Sequence, residues 1–327
     1  MNLTINNLPS YTLSVAPMMD WTDRHFRYFI RLITKKTLLY TEMVTTGAIL
    51  NGNKQKLLDF SREELPLALQ LGGDDPSQLA ECSKIGEDFG YSEINLNVGC
   101  PSERVQNGNF GACLMATPDL VAKCLEKMKS ATSIPITVKH RIGIDGLESY
   151  ENLSNFIKIV KESGVDRFIV HARIAILKGL SPAENRKVPP LRYEDVYKLK
   201  QDFPDTIIEI NGGILTLDDT ITHLQKVDGV MIGRAAYDNP YLFIEADEKI
   251  FGEQKNTKTR QEIANEFLPY LESHIQNGGR IHQVLRHILG FCNGIPGAKK
   301  YRRYLSENMY GENIGAEVFL KALEQVV

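Results

Sequence analysis

Eight short apolar runs recur about every 30 residues through the first 235 or so positions of the chain. They are Tyr11–Met18, Leu38–Val44, Pro66–Gly73, Glu93–Cys100, Pro135–Gly143, Arg167–Arg173, Thr206–Ile214 and Asp228–Ala235. Most gaps between them carry a helical pattern of apolar positions, as in Asp75–Phe89, Pro118–Lys129 and Ser149–Ser163. Nearly continuous apolar strands alternating with amphipathic helices indicate a parallel sheet covered on its faces. Eight such units predict a closed (β/α)8 TIM barrel. The alternative is an open doubly wound sheet, but no G-x-G-x-x-G follows the first strand. After Pro240 the texture changes: a linker with Gly252, Glu253 and Lys255 leads into helical patterns from Asn256 to Val327. The predicted organisation is a barrel domain over residues 1–245 and a small all-helical domain over 246–327.

Polar residues sit where the strands of such a barrel end. Strand one closes on Pro17, Met18, Met19 and Asp20. Strand two carries Glu42, strand three Gln70 and then Gly72-Gly73, and strand four Asn95, Asn97 and Cys100. Strand five ends Lys139-His140-Arg141, strand six His171-Ala172-Arg173, strand seven Asn211-Gly212-Gly213 and strand eight Gly233-Arg234. Each has a bland reading alone: a structural ion pair, a core histidine, a turn glycine. Polar groups at nearly every strand end share one rim, and in barrels of this kind that rim is where chemistry collects.

Loops after strands seven and eight commonly bind phosphate through exposed backbone N–H groups. Asn211-Gly212-Gly213 and Gly233-Arg234 offer close backbone approach and a guanidinium. A flavin ring asks for hydrogen bonds at its pyrimidine edge and a positive charge near N1, which Gln70, Asn95 and Lys139 suit. A Schiff-base lysine is the alternative use of Lys139; the neighbouring His140 and Arg141 favour anion binding. Cys100 opens the loop after strand four. A thiol is mostly protonated at neutral pH, and Cys100 has no histidine beside it in sequence, so it suits a general acid better than a thiolate nucleophile. The glycine-rich segment from Glu103 to Cys113 has the composition of a mobile lid.

Bulk composition narrows the class. The chain has 327 residues, is 43% hydrophobic and has net charge −3. That supports a large core and gives no global signature of nucleic-acid binding. Five cysteines without a C-x-x-C pair argue against a disulfide framework or a zinc site, so no metal is expected and a reducing cytoplasm fits. No basic-then-apolar leader and no membrane-length apolar run is seen. Charge is local instead. Arg280, Arg286, Lys299, Lys300, Arg302 and Arg303 fall within residues 280–306, which contain no acid, and Tyr301 and Tyr304 interleave with them. Such a patch suits phosphate backbones. A second basic run, Lys178 to Arg192, includes Arg186 and follows strand six at the rim.

The blocks "APMMDWTDRHFRYF", "LYTEMVTTGAI", "LALQLGG", "EINLNVGCPSERVQNGNFGACLMA", "TVKHRIGID", "FIVHAR", "KGLSPAENRKVPPLRY", "NGGI" and "DGVMIGRAAYDNP" resemble the tRNA-dihydrouridine synthases, in particular their A-type subfamily. The resemblance runs from about Ser14 to "GIPGAKKYRRYLSE". It implies FMN as cofactor, NADPH as reductant, and reduction of the uridine C5–C6 double bond in the D-loop of tRNA, around positions 20 and 20a. By similarity, Cys100 protonates C5 after hydride reaches C6. Flavin contacts carry over to Pro17, Met18, Met19, Gln70, Lys139, His171, Asn211, Gly212, Gly213, Gly233 and Arg234. Asn97 is assigned to the target uridine, and Arg141, Arg186, Lys299, Arg302 and Arg303 to tRNA. The chain departs from the pattern at Phe26, where a cysteine is common, and at Ile174 and Ile176, where lysine and tryptophan are usual. A monomer is expected. The target base must leave its stack to reach a barrel mouth, and folded tRNA is recognised mainly by shape. The competing readings are an FMN-dependent dehydrogenase of free pyrimidines, a non-catalytic tRNA-binding chaperone, and a flavin-free aldolase using Lys139.

Overall fold

The structure, a computed structural model, describes residues 8–311 and 314–326. The first seven residues and the last one of the two predicted domains lie outside that range, as does most of the segment read for a leader. Eight parallel strands form one sheet in the order β1-β8-β7-β6-β5-β4-β3-β2. These are β1 Leu13–Val15, β2 Leu39–Thr45, β3 Leu67–Gly72, β4 Glu93–Val98, β5 Ile136–Arg141, β6 Arg167–His171, β7 Ile208–Asn211 and β8 Gly229–Ile232. The ring closes where Ser14 bridges Leu38 in parallel and Val15 N–H donates to Leu38 O at 2.9 Å. This is the predicted (β/α)8 barrel.

Alternation along each strand decides what faces the barrel axis. On β4, Ile94, Leu96 and Val98 pack outward against the helices, whereas Glu93, Asn95 and Asn97 turn inward. On β5, Val138 packs outward and Thr137, Lys139 and Arg141 face in. A small apolar plug of Ala16, Leu38, Tyr40, Ala68, Ile169 and Met231 fills part of the interior. Beside it lies a buried ionic layer. Arg167 pairs with Glu93 at 2.7 Å and Glu209 at 3.0 Å, and Tyr40 Oη donates to Glu93 Oε1 at 2.8 Å. Paired in this way, the charges close the floor of the barrel with their hydrogen bonds met.

The helices start where the sequence places caps. Asp75 accepts the N–H groups of Ser77 and Gln78 ahead of Pro76–Phe89, and Gly90, at φ +93°, stops that helix in the left-handed region. Thr259 and Glu262 form a capping box at the start of Arg260–Gln276. This long helix opens the C-terminal helical segment and packs Phe267 against Phe29 of the Arg24–Ile33 helix, with ring centroids 5.0 Å apart. Among the described residues no helix is long and apolar enough to cross a membrane.

Several predicted strands stop short, for local reasons. Residues Ser10–Thr12 form a 3-10 turn, and Pro17, which has no N–H, cannot extend β1. At β4 the Asn97 side chain takes over the backbone N–H groups of Gly99 and Cys100, so the ladder ends at Val98.

Candidate active site

The strand ends open into a cavity of about 500 Å³, a size suited to a cofactor-scale ligand. Fifteen of the eighteen residues assigned above to catalysis, flavin or tRNA line it: Pro17, Met18, Met19, Gln70, Asn97, Cys100, Lys139, Arg141, His171, Arg186, Asn211, Gly212, Gly213, Gly233 and Arg234. Lys299, Arg302 and Arg303 lie elsewhere, exposed on the Ala298–Asn308 helix.

One wall is cationic. Lys139 keeps some exposure toward the cavity but is otherwise enclosed by protein, and its Nζ donates to Asn211 Oδ1 at 3.0 Å. Loss of water, and then the nearby Arg141, bring its pKa down to about 7. His171 projects from the end of β6 with Nδ1 buried and without a hydrogen-bond partner. Burial first, then the positive charges of Arg141, Lys139, Arg173 and Arg234, hold it neutral. Among the described residues none of Lys139, Arg141, Arg173, Arg186 and Arg234 forms an ion pair. A cluster of cations that form no ion pair, around an orphaned ring nitrogen, fits an anionic ligand with acceptor atoms. Gly212 (φ +115°) and Gly213 (φ +73°) turn the chain beneath it. A side chain is strained at these angles, and a Cβ on Gly213 would fall 2.6 Å from Leu191 Cδ1, so the turn suits glycine.

The thiol follows β4, the strand next to that of Lys139 and Arg141. Asn97 Oδ1 accepts Cys100 N–H at 3.0 Å and Gly99 N–H at 3.2 Å, while its Nδ2 donates to Gln70 Oε1 at 2.9 Å. Cys100 Sγ is half-buried, 3.5 Å from Ser102 Oγ. Cys100 O accepts Ala112 N–H at 2.9 Å, and a Cβ on Gly111 (φ +77°) would lie 2.6 Å from that carbonyl oxygen. Gln106 Nε2 donates to Pro101 O at 2.8 Å and Leu177 O at 3.1 Å, which joins the thiol loop to the loop after β6. The segment read as a lid is folded onto the barrel in this arrangement, with Sγ beside the cavity.

Other residues behave differently from their sequence setting. His140 faces outward, with ring centroids 4.9 Å from Phe156 and 5.9 Å from Phe168, and burial lowers its pKa to about 4. It therefore adds no charge to the cavity. Arg141 is 5% exposed and donates to Gly99 O at 3.1 Å and to Ile174 O and Asn185 O at 3.0 Å. It braces two loops beside the ligand space. Tyr301, read as part of the basic patch, is wholly buried and donates to Ile288 O at 2.9 Å. Glu42 takes the N–H of Asp20, which has φ +63°, and so shapes the loop after β1.

Some contributors carry little sequence signal. Asn185, fully buried, donates to Ile176 O at 2.8 Å and accepts Ile176 N–H at 2.7 Å, folding the loop that presents Arg186. Trp21, the sole tryptophan, lines the cavity and stacks on Tyr237 at 4.5 Å and 11°. Tyr193 Oη donates to Gly212 O at 2.8 Å. Period-two alternation downward from Lys139 would have found Thr137; Asn185 and Tyr193 fall inside the block "KGLSPAENRKVPPLRY", but its spacing does not reveal these bonds.

The family model described as "Dihydrouridine synthase (Dus)" matches residues 14–326. The chain is 59% identical over 312 residues to the tRNA-dihydrouridine(20/20a) synthase of Synechocystis sp., covering 95% of this chain and 93% of that one. It is 55% identical over 315 residues to the enzyme of the same name from Shewanella oneidensis, covering 96% and 94%. Among solved structures, a 2-naphthoyl-CoA reductase in complex with 2-naphthoyl-CoA shares the fold at 12% identity with a TM-score of 0.53, covering 73% of this chain and 50% of that one. With a family match spanning almost its whole length and relatives that share more than half its residues, the chain belongs to the dihydrouridine synthase family.

Proposed function

We propose that this protein reduces uridine to 5,6-dihydrouridine in the D-loop of tRNA, around positions 20 and 20a, with FMN as cofactor and NADPH as reductant. The observation that carries the reading is that the Cys100 thiol and the cations of Lys139, Arg141 and Arg234, none of them in an ion pair among the described residues, line one cavity. The residues present fit FMN. Lys139 would lie against the electron-rich edge of the ring. His171 Nδ1 has a free hydrogen-bonding position, and Gly212, Gly213, Gly233 and Arg234 line the same cavity and would suit a phosphate. Bound there, the flavin supplies the hydride that adds to C6 of the base.

This chain's own residues do the rest. Cys100 Sγ–H gives its proton to C5 as the double bond is lost, and the thiolate regains a proton from solvent. Asn97 has spent its oxygen on the loop, so it presents only an N–H to the base and meets a carbonyl oxygen rather than N3–H. Arg186 at the cavity edge, and Lys299, Arg302 and Arg303 on the helical segment, hold phosphates. The basic helices of residues 246–327 serve as the tRNA-binding domain beside a catalytic barrel of residues 1–245, and the protein acts as a cytoplasmic monomer.

The test is to reduce the purified protein anaerobically, add tRNA lacking dihydrouridine, and follow flavin absorbance. Reoxidation by tRNA but not by free uridine or orotate is expected. Reoxidation by the free pyrimidines, or flavin that stays reduced with tRNA, would overturn the reading.

A further inference from the structure

A single file of side chains runs from the floor of the barrel to the reactive loop. Thr137 Oγ1 donates to Glu93 Oε1 at 2.6 Å, and Asn95 Nδ2 donates to Thr137 Oγ1 at 2.8 Å. Gln70 Nε2 donates to Asn95 Oδ1 at 2.8 Å, and Asn97 Nδ2 donates to Gln70 Oε1 at 2.9 Å. Asn97 Oδ1 then takes the backbone N–H groups of Gly99 and Cys100. Gln70, Asn95 and Thr137 are at most 1% exposed, so no water competes for these bonds.

The direction of the file is fixed from both ends. At the bottom, Glu93 Oε1 also accepts from Tyr40 Oη and Arg167 Nη2, so Thr137 must be the donor and its oxygen must accept from Asn95. At the top, the backbone N–H groups of Gly99 and Cys100 can only donate, so Asn97 must offer its oxygen to them and its NH2 to Gln70. The two constraints, which start from opposite ends, give the same orientation for all three amides. An amide that turned over anywhere in the file would set donor against donor or acceptor against acceptor at two contacts, or at three for Asn97. At each buried contact an unmet polar group costs about 1–3 kcal/mol.

We propose that Thr137 and Asn95 are positioning residues for the proton transfer: through Gln70 and Asn97 they lock the backbone turn that carries the Cys100 thiol, although neither lines the cavity. The inference rests on the function proposed above for Cys100. The same file anchors one side of the ligand space, but only its upper end, Asn97, bonds to the reactive loop. A broken file should therefore affect the step that uses the thiol more than the step that reduces the flavin.

The test compares Thr137→Val, which keeps the shape and removes the hydroxyl, with Thr137→Ser, which restores it, in the flavin-loaded protein. Asn95→Ala breaks the file one link higher. Thr137→Val and Asn95→Ala are expected to slow tRNA-driven flavin reoxidation at saturating tRNA by about tenfold, with reduction by NADPH within about twofold of the parent and Thr137→Ser close to it. Alkylation of Cys100 by iodoacetamide, read by mass spectrometry against Cys113 in the same molecule, should accelerate in the same two variants and return in Thr137→Ser. Parent-like behaviour of Thr137→Val in both readouts would overturn the proposal. So would equal loss in both half-reactions, or failure of both variants to fold, which would assign the file to barrel stability. A parent protein that tRNA does not reoxidise would instead overturn the function proposed above, and the alkylation pattern would still decide whether the file sets the loop.

Discussion

Lys139 Nζ lies 3.0 Å from Asn211 Oδ1, and this neutral amide is its one hydrogen-bond partner among the described residues. Burial strips this ammonium of water, and Arg141 then crowds it, so its pKa falls to about 7. Folding therefore favours the neutral amine. The penalty of burying the charge is fully present below pH 7 and is relieved as pH rises from there toward the unfolded value near 10.4.

An anionic or electron-rich ligand reverses that preference. FMN binding to the flavin-stripped protein should take up a proton near neutral pH, and affinity should fall as pH rises through about 7. Lys139→Met should weaken FMN binding by roughly tenfold to a hundredfold and flatten that dependence. It should also make the flavin potential more negative, because the reduced anion loses its counter-charge. Fluorescence titration of FMN on either side of neutrality measures the first two effects, and spectroelectrochemistry measures the third. Unchanged affinity and potential would separate Lys139 from the flavin.

Cys100 calls for a different separation. Its backbone is held by Asn97, and its Sγ has only Ser102 Oγ nearby, at 3.5 Å. Removing the thiol therefore leaves the loop intact. Cys100→Ala should retain flavin and its reduction by NADPH while tRNA-driven reoxidation slows by roughly 10²–10⁴-fold, the usual worth of a positioned acid. Stopped-flow traces of the two half-reactions check this. Parent-like reoxidation by tRNA would remove Cys100 from the proton-donor role.

The two arginines of the Ala298–Asn308 helix are not equivalent. Both are exposed, but Arg303 Nε pairs with Glu307 at 2.8 Å, whereas Arg302 forms no ion pair among the described residues. An arginine free of acids has its full charge available to a phosphate, so Arg302→Glu should weaken tRNA binding more than Arg303→Glu. For every phosphate no longer neutralised, the slope of log affinity against log salt should shrink by about 0.7–0.9. Filter binding across a salt series measures both. A change in turnover with unchanged affinity would move tRNA off this helix.

The barrel was legible because parallel strands buried on both faces leave uninterrupted apolar runs; seven of the eight contain an observed strand and the second misses β2 only at its last residue, Thr45. The rim was legible because Gln70, Asn97, Lys139 and His171 are polar where such runs expect aliphatics, whereas Asn95, read as a flavin contact, lies buried below the cavity and bonds to Gln70 and Thr137. What sequence reading missed depends on facing and on long-range closure. His140 sits between two inward residues, and alternation turns it toward Phe156, where it is core. Tyr301 looked like part of a basic surface, but its ring packs under the helix and its hydroxyl caps a carbonyl 13 residues earlier. Asn185 organises a loop by bonds to Ile176 that no periodic pattern encodes.

The outward setting of His140 has a measurable consequence. Its Nδ1 lies 2.7 Å from Arg141 O and acts as donor there, while Nε2 is buried without a partner. Protonation would place a charge on an unsolvated nitrogen beside Lys139, and so the pKa is lowered, chiefly by burial, to about 4. The unfolded chain titrates near 6.5. As pH falls between those values the unfolded state takes up the proton first, and the stability owed to a neutral His140 is lost. Glu209 acts in the opposite sense over part of the same range, because burial raises its carboxyl to about 7. A melting profile of the parent alone therefore mixes the two. His140→Leu keeps an apolar side chain against Phe156 and Phe168 and leaves Glu209 untouched. The gap in melting temperature between His140→Leu and the parent should shift in favour of His140→Leu as pH is lowered from neutrality toward 4. A gap that stays constant with pH would mean that His140 is as solvated as an ordinary surface histidine, contrary to its place between two phenylalanine rings.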